Sequence, residues 1–312
     1  MFHKITLSVI LPVFKEKDEY VQESIKSVLN QTFKKFELLI VIDTGKDDAE
    51  FLRVYNAVKN CLNNDDRARL IINEKNLGLP QSLNKAISLA EGEFIARMDA
   101  DDIALLHRFE TQLNYMKQNP QIDLVGSKVI FINPQNQILN ESKSLTKETI
   151  IKKLCAGISP IPHPTWFFRK SFITKLNYYR PQFQTVEDYE LLARAVLNGC
   201  QIGFINEPLL KYRVEYRRGR ISVQRPMQLK LTFLIADNLR KNKEVSEVDL
   251  KKVLNGKINF FAKFLDYLSQ YLENIIIKFS PKLHNYFKWL IYLISPYKAR
   301  HIIEIIYYLY IK

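Results

Sequence analysis

The sequence predicts an α/β protein in which a mostly parallel, doubly wound sheet is flanked by helices. Two observations carry this prediction. Apolar, β-branched segments alternate four times with segments of helical spacing over residues 5–99, and the connections between them are short. Strands of a parallel sheet are buried on both faces, so they appear in a sequence as continuous apolar runs. Strands and helices that alternate in this way form parallel sheets with right-handed crossovers.

The first half of the chain supplies the clearest elements. The predicted strands are ITLSVILPVF, FELLIVID, ARLIINE and EFIARMD. The predicted helices are DEYVQESIKSVLNQT, DAEFLRVYNAVKNCLN and PQSLNKAISLAEG, in which apolar residues recur every three or four positions. In the third helix, Pro80 stands near the start and Gly92 just past the end, as helix termini prefer.

The pattern becomes mixed after the helix predicted at RFETQLNYMKQNP. The segment IDLVGSKVIFI predicts one strand or two, and HPTWFFRKSFI predicts a strand followed by a helix. A further helix is predicted at TVEDYELLARAVLNG, closed by Gly199, and short strands at IGFINEPLLKYRV. From about Ile221 the chain becomes helical, aromatic and basic.

Polar or unusual residues follow three of the predicted strands. Pro12, Val13 and Phe14 end the first strand, Asp43 ends the second, and the acids Asp99, Asp101 and Asp102 follow the fourth. Ligands of open α/β sheets bind outside the carboxyl ends of the strands, so these positions converge on one rim. Three neighbouring carboxylates repel one another unless a cation or solvent compensates their charge. The acidic residues alone leave two readings open, a metal site and an exposed turn in which Asp102 caps the next helix.

Bulk properties restrict the partners and the compartment. The formal charge is +13, which suggests nucleic acid, an anionic membrane face or a phosphate-rich substrate as a partner. The three cysteines, Cys61, Cys155 and Cys200, follow no metal-ligand spacing and favour a reducing compartment. There is no signal-peptide pattern and no apolar run of the roughly 18 residues that a spanning helix needs. We therefore expect a cytoplasmic protein.

Four motifs occur in the order typical of one enzyme family. They are SVILPVFKE, FELLIVIDTGKDD, NLGLPQSLNKAISLAEGEFIARMDADD and VEDYELLARAV. Over residues 5–215 the chain resembles the nucleotide-sugar-dependent glycosyltransferases of family 2, which have the GT-A fold. The resemblance implies an inverting transfer from a UDP-sugar to a saccharide acceptor, assisted by Mn²⁺ or Mg²⁺. A divalent cation held by carboxylates and substrate phosphates stabilises the charge on a departing diphosphate.

The resemblance also implies roles for individual residues. Asp101 matches the direct metal ligand, Asp99 a residue facing the ribose or a metal-bound water, and His163 a position sometimes near the metal. Asp43 matches the acceptor of the uracil N3–H; for this residue, a simple turn is the alternative. The implied nucleotide-sugar-binding residues are Pro12, Val13, Phe14, Glu16, Asp43, Asn76, Asn84, Asp99, Ala100 and Asp101.

Glu187 and Asp188 begin the helix predicted late in the chain. In relatives, the acid matching Asp188 is the general base that takes the proton of the acceptor hydroxyl, and Glu187 supports it. The alternative is structural, because Thr185 and Asp188 also fit a capping-box-like helix start and acids favour a first helical turn.

Two positions depart from the family pattern. Leu83 stands where many relatives carry Arg, and Glu215 stands where many carry His. A phosphate or metal contact is therefore missing or replaced. The arginines that surround Glu215 could clamp the diphosphate or form an exposed basic loop; they are Arg213, Arg217, Arg218 and Arg220.

We expect a glycosyltransferase domain over residues 1–220, with a nucleotide-sugar-binding half (1–105) and an acceptor half (106–220). The remaining helical region, 221–312, carries fifteen Lys/Arg against seven Asp/Glu, with interleaved aromatic residues. It either binds an anionic membrane surface or packs on the catalytic domain. A membrane contact would place the enzyme peripherally on the inner face of the cytoplasmic membrane, where a lipid-linked acceptor in polysaccharide or lipopolysaccharide assembly could be reached.

Three further functional classes are compatible with parts of the sequence. The departures at Leu83 and Glu215 are compatible with a membrane-binding protein whose sheet has lost activity. The net charge permits a nucleic-acid-binding protein, although no recognisable binding motif is present. A metal-dependent nucleotidyltransferase would use a similar acidic loop, but it would release pyrophosphate and would not need the Glu187–Asp188 pair. We expect no nucleic-acid partner.

Overall fold

The computed structural model describes residues 5–63, 65–214 and 225–255. The chain divides into two compact units, Met1–Leu250 and Lys251–Lys312. Nearly all described residues belong to the first unit; residues 251–255, at the end of the last helix that the structure describes, belong to the second. The aromatic, basic segments predicted beyond residue 255 lie outside the described residues.

A mixed sheet runs through the first unit. Its strands, in chain order, are β1 (Leu7–Val13), β2 (Phe36–Ile42), β3 (Ala68–Ile72), β4 (Phe94–Arg97), β5 (Ile103–Ala104), β6 (Leu124–Ile132), β7 (Ile138–Glu141), β8 (Phe167–Arg169) and β9 (Ile202–Arg213). The spatial order is β3-β2-β1-β4-β8-β6-β9-β5, with β7 paired to β6. The first four strands are parallel, as predicted. Strand β8 is antiparallel to β4 and β6, while β6 and β9 are parallel.

Helices flank this sheet. They are α1 (Asp18–Leu29), α2 (Phe51–Leu62), α3 (Leu79–Leu89), α4 (Arg108–Gln118), α5 (Lys147–Cys155), α6 (Lys170–Lys175), α7 (Glu187–Leu197), α8 (Arg225–Arg240) and α9 (Glu247–Leu254). Within the described ranges, no helix is long and apolar enough to cross a membrane.

The two central parallel strands explain why the sequence pattern was informative. Every residue of β1 and of β2 is buried, which requires the continuous apolar runs that predicted them. Burying each Val, Leu or Ile side chain contributes about 1.5–3 kcal/mol. This core fixes the carboxyl ends of β1, β2 and β4 beside one another, because the three strands are parallel neighbours.

Two local predictions were wrong. Helix α3 ends at Leu89, and Ala90 is already extended, so Gly92 is not its terminator. Gly92 instead lies against β1, where an added Cβ would approach the backbone nitrogen of Ser8 to 2.5 Å. The short strands expected before residue 214 form one twelve-residue strand, β9, and register shifts opposite Lys128 accommodate its length.

Candidate active site

The three acids after β4 form a loop, Asp99–Asp102, which we call the acidic loop. One carboxylate oxygen from each of Asp99, Asp101 and Asp102 lies within 4.8 Å of the others. Asp99 and Asp101 are half-buried, and Asp102 is buried. The structure thus brings together both acids predicted as metal ligands and adds Asp102, which the sequence left as a less certain contributor.

Burial makes the acidic loop costly to ionise. Burial, followed by the charges of Asp99 and Glu16, raises the pKa of Asp101 to about 7. Burial, followed by the charges of Asp101 and Asp99, also raises the pKa of Asp102 well above its ordinary value. The Oδ2 atom of Asp102 has no hydrogen-bond partner in the part of the chain that the structure describes. Three hard oxygen ligands that resist joint ionisation fit a divalent cation such as Mg²⁺ or Mn²⁺.

Arg97, the last residue of β4, is a site residue that the sequence analysis missed. Its side chain is 4% exposed, and its guanidinium pairs with both carboxylate oxygens of Asp99. The signal was present in the sequence, since a charged residue at the end of an apolar strand requires a buried partner. The charge of Arg97 also acts on Glu187 and Asp188, and therefore links the acidic loop to the start of α7.

Arg213, at the end of β9, binds both a side chain and the backbone of the acidic loop. Its N–H donates to Oδ1 of Asp102 and its Nε to the carbonyl of Asp101, both at 2.8 Å. The guanidinium also pairs with Glu23 at 2.6 Å and stacks on Tyr20, 4.2 Å from the ring centroid. Arg213 is therefore neither an exposed basic residue nor free to clamp a diphosphate.

Arg217, Arg218, Arg220 and Glu215 lie outside the described residues.

Asp43 organises the loop that follows β3. Its Oδ1 accepts hydrogen bonds from Nδ2 of Asn73 at 2.7 Å and from the backbone N–H of Leu77 at 2.8 Å. Its Oδ2 accepts the backbone N–H of Gly78 at 2.9 Å, a group that Asn76 also binds at 2.9 Å. Asp43 is buried, and its hydrogen bonds connect the end of β2 to the segment that follows β3.

The predicted donor-site residues at the end of β1 lie near the acidic loop. Pro12 and Val13 are buried in the strand, and the N–H of the half-buried Phe14 donates to Glu16 at 2.7 Å. The charge of Glu16 acts on Asp101, which places the end of β1 within electrostatic reach of the loop.

Two neighbouring positions on α3 serve the packing. Asn84 donates to and accepts from the backbone of Tyr179, at 2.8 and 3.0 Å. Its amide therefore ties α3 to the segment that precedes α7. Leu83, one of the departures from the family pattern, is buried in the core.

Glu187 and Asp188 occupy the first turn of α7. Oδ2 of Asp188 accepts the hydroxyl of Ser159 at 2.8 Å, and Oδ1 accepts the N–H of Tyr189 at 2.7 Å. Burial and then the charge of Asp188 raise the pKa of Glu187 to about 7, and burial raises the pKa of Asp188. Both carboxyls are thus shifted toward the range useful for proton transfer near neutral pH.

The capping-box alternative for this pair is wrong. The residue that precedes α7 is Val186, and it makes no side-chain cap. Thr185 has a left-handed backbone, with φ of 80°. The acids at the start of α7 are therefore not explained by a side-chain cap of that kind.

His163 lies in a buried aromatic cluster. Its Nε2 is 2.9 Å from the hydroxyl of Tyr179, and its ring packs edge-on to Trp166 with centroids 4.5 Å apart. Burial, followed by the charge of Arg97, lowers its pKa well below the ordinary range. The imidazole is therefore neutral, and the structure does not bring it into the group formed by the three aspartates.

The curled, mixed sheet flanked by helices is that of the GT-A fold. A crystal structure of S. aureus TarS in complex with UDP-GlcNAc has the same fold. It has a TM-score of 0.59 and 19% identity over 89% of this chain and 74% of that one.

Residues 8–176 match the family model described as Glycosyl transferase family 2, and the chain belongs to that family. A relative that is 36% identical over 70% of this chain and 74% of its own is an uncharacterized glycosyltransferase of Methanocaldococcus jannaschii. An Escherichia coli relative is 28% identical over 69% of this chain and 78% of its own. It is named UDP-Gal:alpha-D-GlcNAc-diphosphoundecaprenol beta-1,3-galactosyltransferase. The protein described here is a glycosyltransferase.

Proposed function

We propose that this enzyme is an inverting hexosyltransferase that moves a sugar from a UDP-sugar to a saccharide acceptor. The observation that carries the proposal is the pairing of two acidic groups around one buried arginine. In the acidic loop, Asp99 forms an ion pair with Arg97. The same guanidinium charge lowers the pKa of both acids at the start of α7. One group suits the diphosphate of a donor, and the other suits proton removal from an acceptor.

The donor side is supported by the chemistry of the acidic loop. Asp101 and Asp99, with Asp102 beside them, would hold Mn²⁺ or Mg²⁺, which when bound supplies positive charge at the departing diphosphate. Asp43 would accept the uracil N3–H through the acceptor capacity that its three protein contacts leave on the carboxylate. The nucleotide would lie along the carboxyl ends of β1 and β2. The proposed binding set is completed by Pro12, Val13, Phe14, Glu16, Asn76, Asn84 and Ala100.

Asp188 would act as the general base. It accepts two hydrogen bonds from the protein, so its oxygens are fixed while acceptor capacity remains. As the acceptor oxygen attacks the anomeric carbon from the face opposite UDP, the proton of its hydroxyl passes to Asp188. Inversion would give a β-linkage from an α-linked UDP-sugar. Glu187 would hold a proton near neutral pH and would limit the negative charge around Asp188.

The acceptor would be a lipid-linked saccharide used in the assembly of a surface polysaccharide or lipopolysaccharide. The E. coli relative is named for an acceptor that is a diphosphoundecaprenol-linked sugar. The excess of Lys and Arg in residues 221–312 supports contact with an anionic membrane surface. The enzyme would then work peripherally on the cytoplasmic face of the membrane.

The test is a donor screen with the purified full chain. UDP-, GDP- and dTDP-sugars are incubated with a diphosphoundecaprenol-linked saccharide and with Mn²⁺, Mg²⁺ or chelator, and the nucleotide diphosphate released is measured. We expect turnover of UDP-sugars that chelator abolishes, and a product of inverted anomeric configuration by NMR. Turnover restricted to GDP- or dTDP-sugars, or a product of retained configuration, would refute the corresponding part of the proposal.

A further inference from the structure

We infer that Ser159 is a positioning residue for Asp188: its hydroxyl fixes the carboxylate at the angle from which Asp188 takes the proton of the acceptor. This inference rests on the proposed role of Asp188 as the base. Ser159 lies 29 positions before Asp188 in the chain, and its Oγ donates to Oδ2 of Asp188 at 2.8 Å. The contact joins the loop after α5 to the first turn of α7.

The loop that carries Ser159 is anchored on both sides. At its start, Gly157 adopts a left-handed backbone (φ 78°) that closes α5. The N–H groups of Gly157 and Ile158 bind the carbonyls of Leu154 and Lys153 at 3.0 and 2.9 Å. The loop therefore leaves α5 in a defined direction.

A buried side chain holds the end of the same loop. Ile161 is fully buried and fills the space above Gly126, where even a Cβ would come within 2.0 Å of its Cγ2 atom. Next to it, the hydroxyl of Thr165 donates to the carbonyl of Pro162 at 2.7 Å. Ser159 is exposed between two fixed points, so its hydroxyl presents a defined geometry to Asp188.

Helix α7 is tied to the same region through Tyr189. The backbone N–H of Tyr189 donates to Oδ1 of Asp188 at 2.7 Å. Its hydroxyl donates to the carbonyl of Leu154, at the end of α5, at 2.5 Å. Each oxygen of Asp188 thus accepts one hydrogen bond from a fixed group. A carboxylate oxygen accepts two, so Oδ2 keeps a lone pair for the acceptor hydroxyl.

The Ser159–Asp188 hydrogen bond can be detected through the pKa of Asp188, which also depends on the charged and titratable groups around it. They are Glu187 on the same helix, Arg97 at the end of β4, and Tyr179 before the helix. The Ser159 hydrogen bond opposes the effect of burial and lowers the pKa of Asp188. Removing the hydroxyl would therefore raise this pKa, and the acidic limb of the pH–rate profile would move to higher pH because the base works only when deprotonated.

The test compares Ser159→Ala and Ser159→Thr with the unmutated full chain, with UDP-sugar and saccharide acceptor. In Ser159→Ala we expect kcat for transfer to fall about tenfold, the acidic limb to move to higher pH, and the donor KM to stay unchanged. Ser159→Thr keeps the hydroxyl and restores the rate. The control is Ser246→Ala, which removes another exposed Ser–Asp hydrogen bond of 2.8 Å, to Asp249, together with the cap of a distant helix. It keeps both the rate and the pH limb.

The outcomes separate this inference from the proposed function. Full rate and an unmoved pH limb in Ser159→Ala, while Asp188→Asn is inactive, would overturn the role of Ser159 alone. A loss of rate without a pH shift, or without recovery in Ser159→Thr, would also overturn it, because a merely structural role behaves in that way. Transfer at full rate by Asp188→Asn would remove the base assignment, and the inference with it.

Discussion

The guanidinium of Arg97 faces the carboxylate of Asp99 in a two-point contact, with 2.5 Å between Nη1 and Oδ2 and a second contact between Nη2 and Oδ1. The arginine is buried and the aspartate is half-buried. Arg97 is the last residue of β4, a strand in the centre of the sheet. The ion pair therefore anchors Asp99, the first residue of the acidic loop, to the sheet. Such fork-to-carboxylate pairs fix orientation as well as charge.

Arg97→Met tests how far the acidic loop depends on this pair. The substitution leaves Asp99 without its counter-charge beside two other acids, and we expect it to lower the free energy of unfolding by about 3–5 kcal/mol. Lys46→Met is the control, because it breaks an exposed pair with Glu74 and should cost at most about 1 kcal/mol. Chemical denaturation measures both losses, and equal losses would contradict a structural role for the Arg97–Asp99 pair.

The parallel half of the sheet could be predicted because its signal is local. Strands β1 and β2 are buried along their whole length, so each one shows the apolar run that burial demands. The clustering of Asp43 and the acidic loop on one rim followed from that prediction, since parallel strands bring their carboxyl ends together.

Other parts of the site depend on contacts between distant segments. The engagement of Arg213 with the acidic loop joins residues 111 and 112 positions apart, and no periodicity reports such a contact. The pairing of Ser159 with Asp188 likewise exists because α5 and α7 pack together. The sequence therefore showed which residue types were available, whereas their partners required the three-dimensional arrangement.

Gly92→Ala tests the close approach of the chain to β1. A methyl group at this position would lie 2.5 Å from the backbone nitrogen of Ser8 and 2.7 Å from the carbonyl carbon of Leu7. Backbone atoms in the middle of a sheet cannot move aside cheaply, so we expect a loss of about 3 kcal/mol.

Gly199→Ala is the comparison for that substitution. Gly199 has φ of 70° and open space around it, so the cost there is backbone strain alone, about 1–2 kcal/mol. Denaturation curves of the two variants should rank in that order. A smaller loss for Gly92→Ala would show that Gly92 does not limit the spacing to β1.

Glu187→Gln tests the buried carboxyl at the start of α7. The pKa of Glu187 is about 7 in the folded protein, against the ordinary value of 4.5 for a glutamate. The folded state therefore binds this proton more tightly than the unfolded state, and the unmutated protein loses stability as the pH rises between those values. Glutamine carries no such cost. We expect Glu187→Gln to raise the melting temperature relative to the unmutated protein by roughly 5 °C at pH 8, with the difference vanishing near pH 4.

The control for this pH dependence is Glu207→Gln. Glu207 is an exposed residue of β9, and its replacement should leave the melting temperature unchanged at both pH values. Melting curves of both variants and the unmutated chain, recorded between about pH 4 and pH 8, measure the pH dependence of stability that Glu187 causes. A difference between Glu187→Gln and the unmutated chain that stays constant with pH would mean that Glu187 does not titrate in this range.

Asp101→Asn tests whether the acidic loop holds a cation. One carboxylate of a group whose oxygens lie within 4.8 Å becomes a neutral amide, which removes a charged hard ligand from the site. We expect Mn²⁺ binding, measured by calorimetry without nucleotide, to weaken at least about tenfold. UDP-sugar binding, measured with and without chelator, should lose its dependence on the ion.

The control is Asp66→Asn, which changes an exposed acid between α2 and β3. This variant should bind Mn²⁺ as the unmutated chain does. Equal uptake of Mn²⁺ by the Asp101→Asn variant would contradict the assignment of Asp101 as a ligand of the ion.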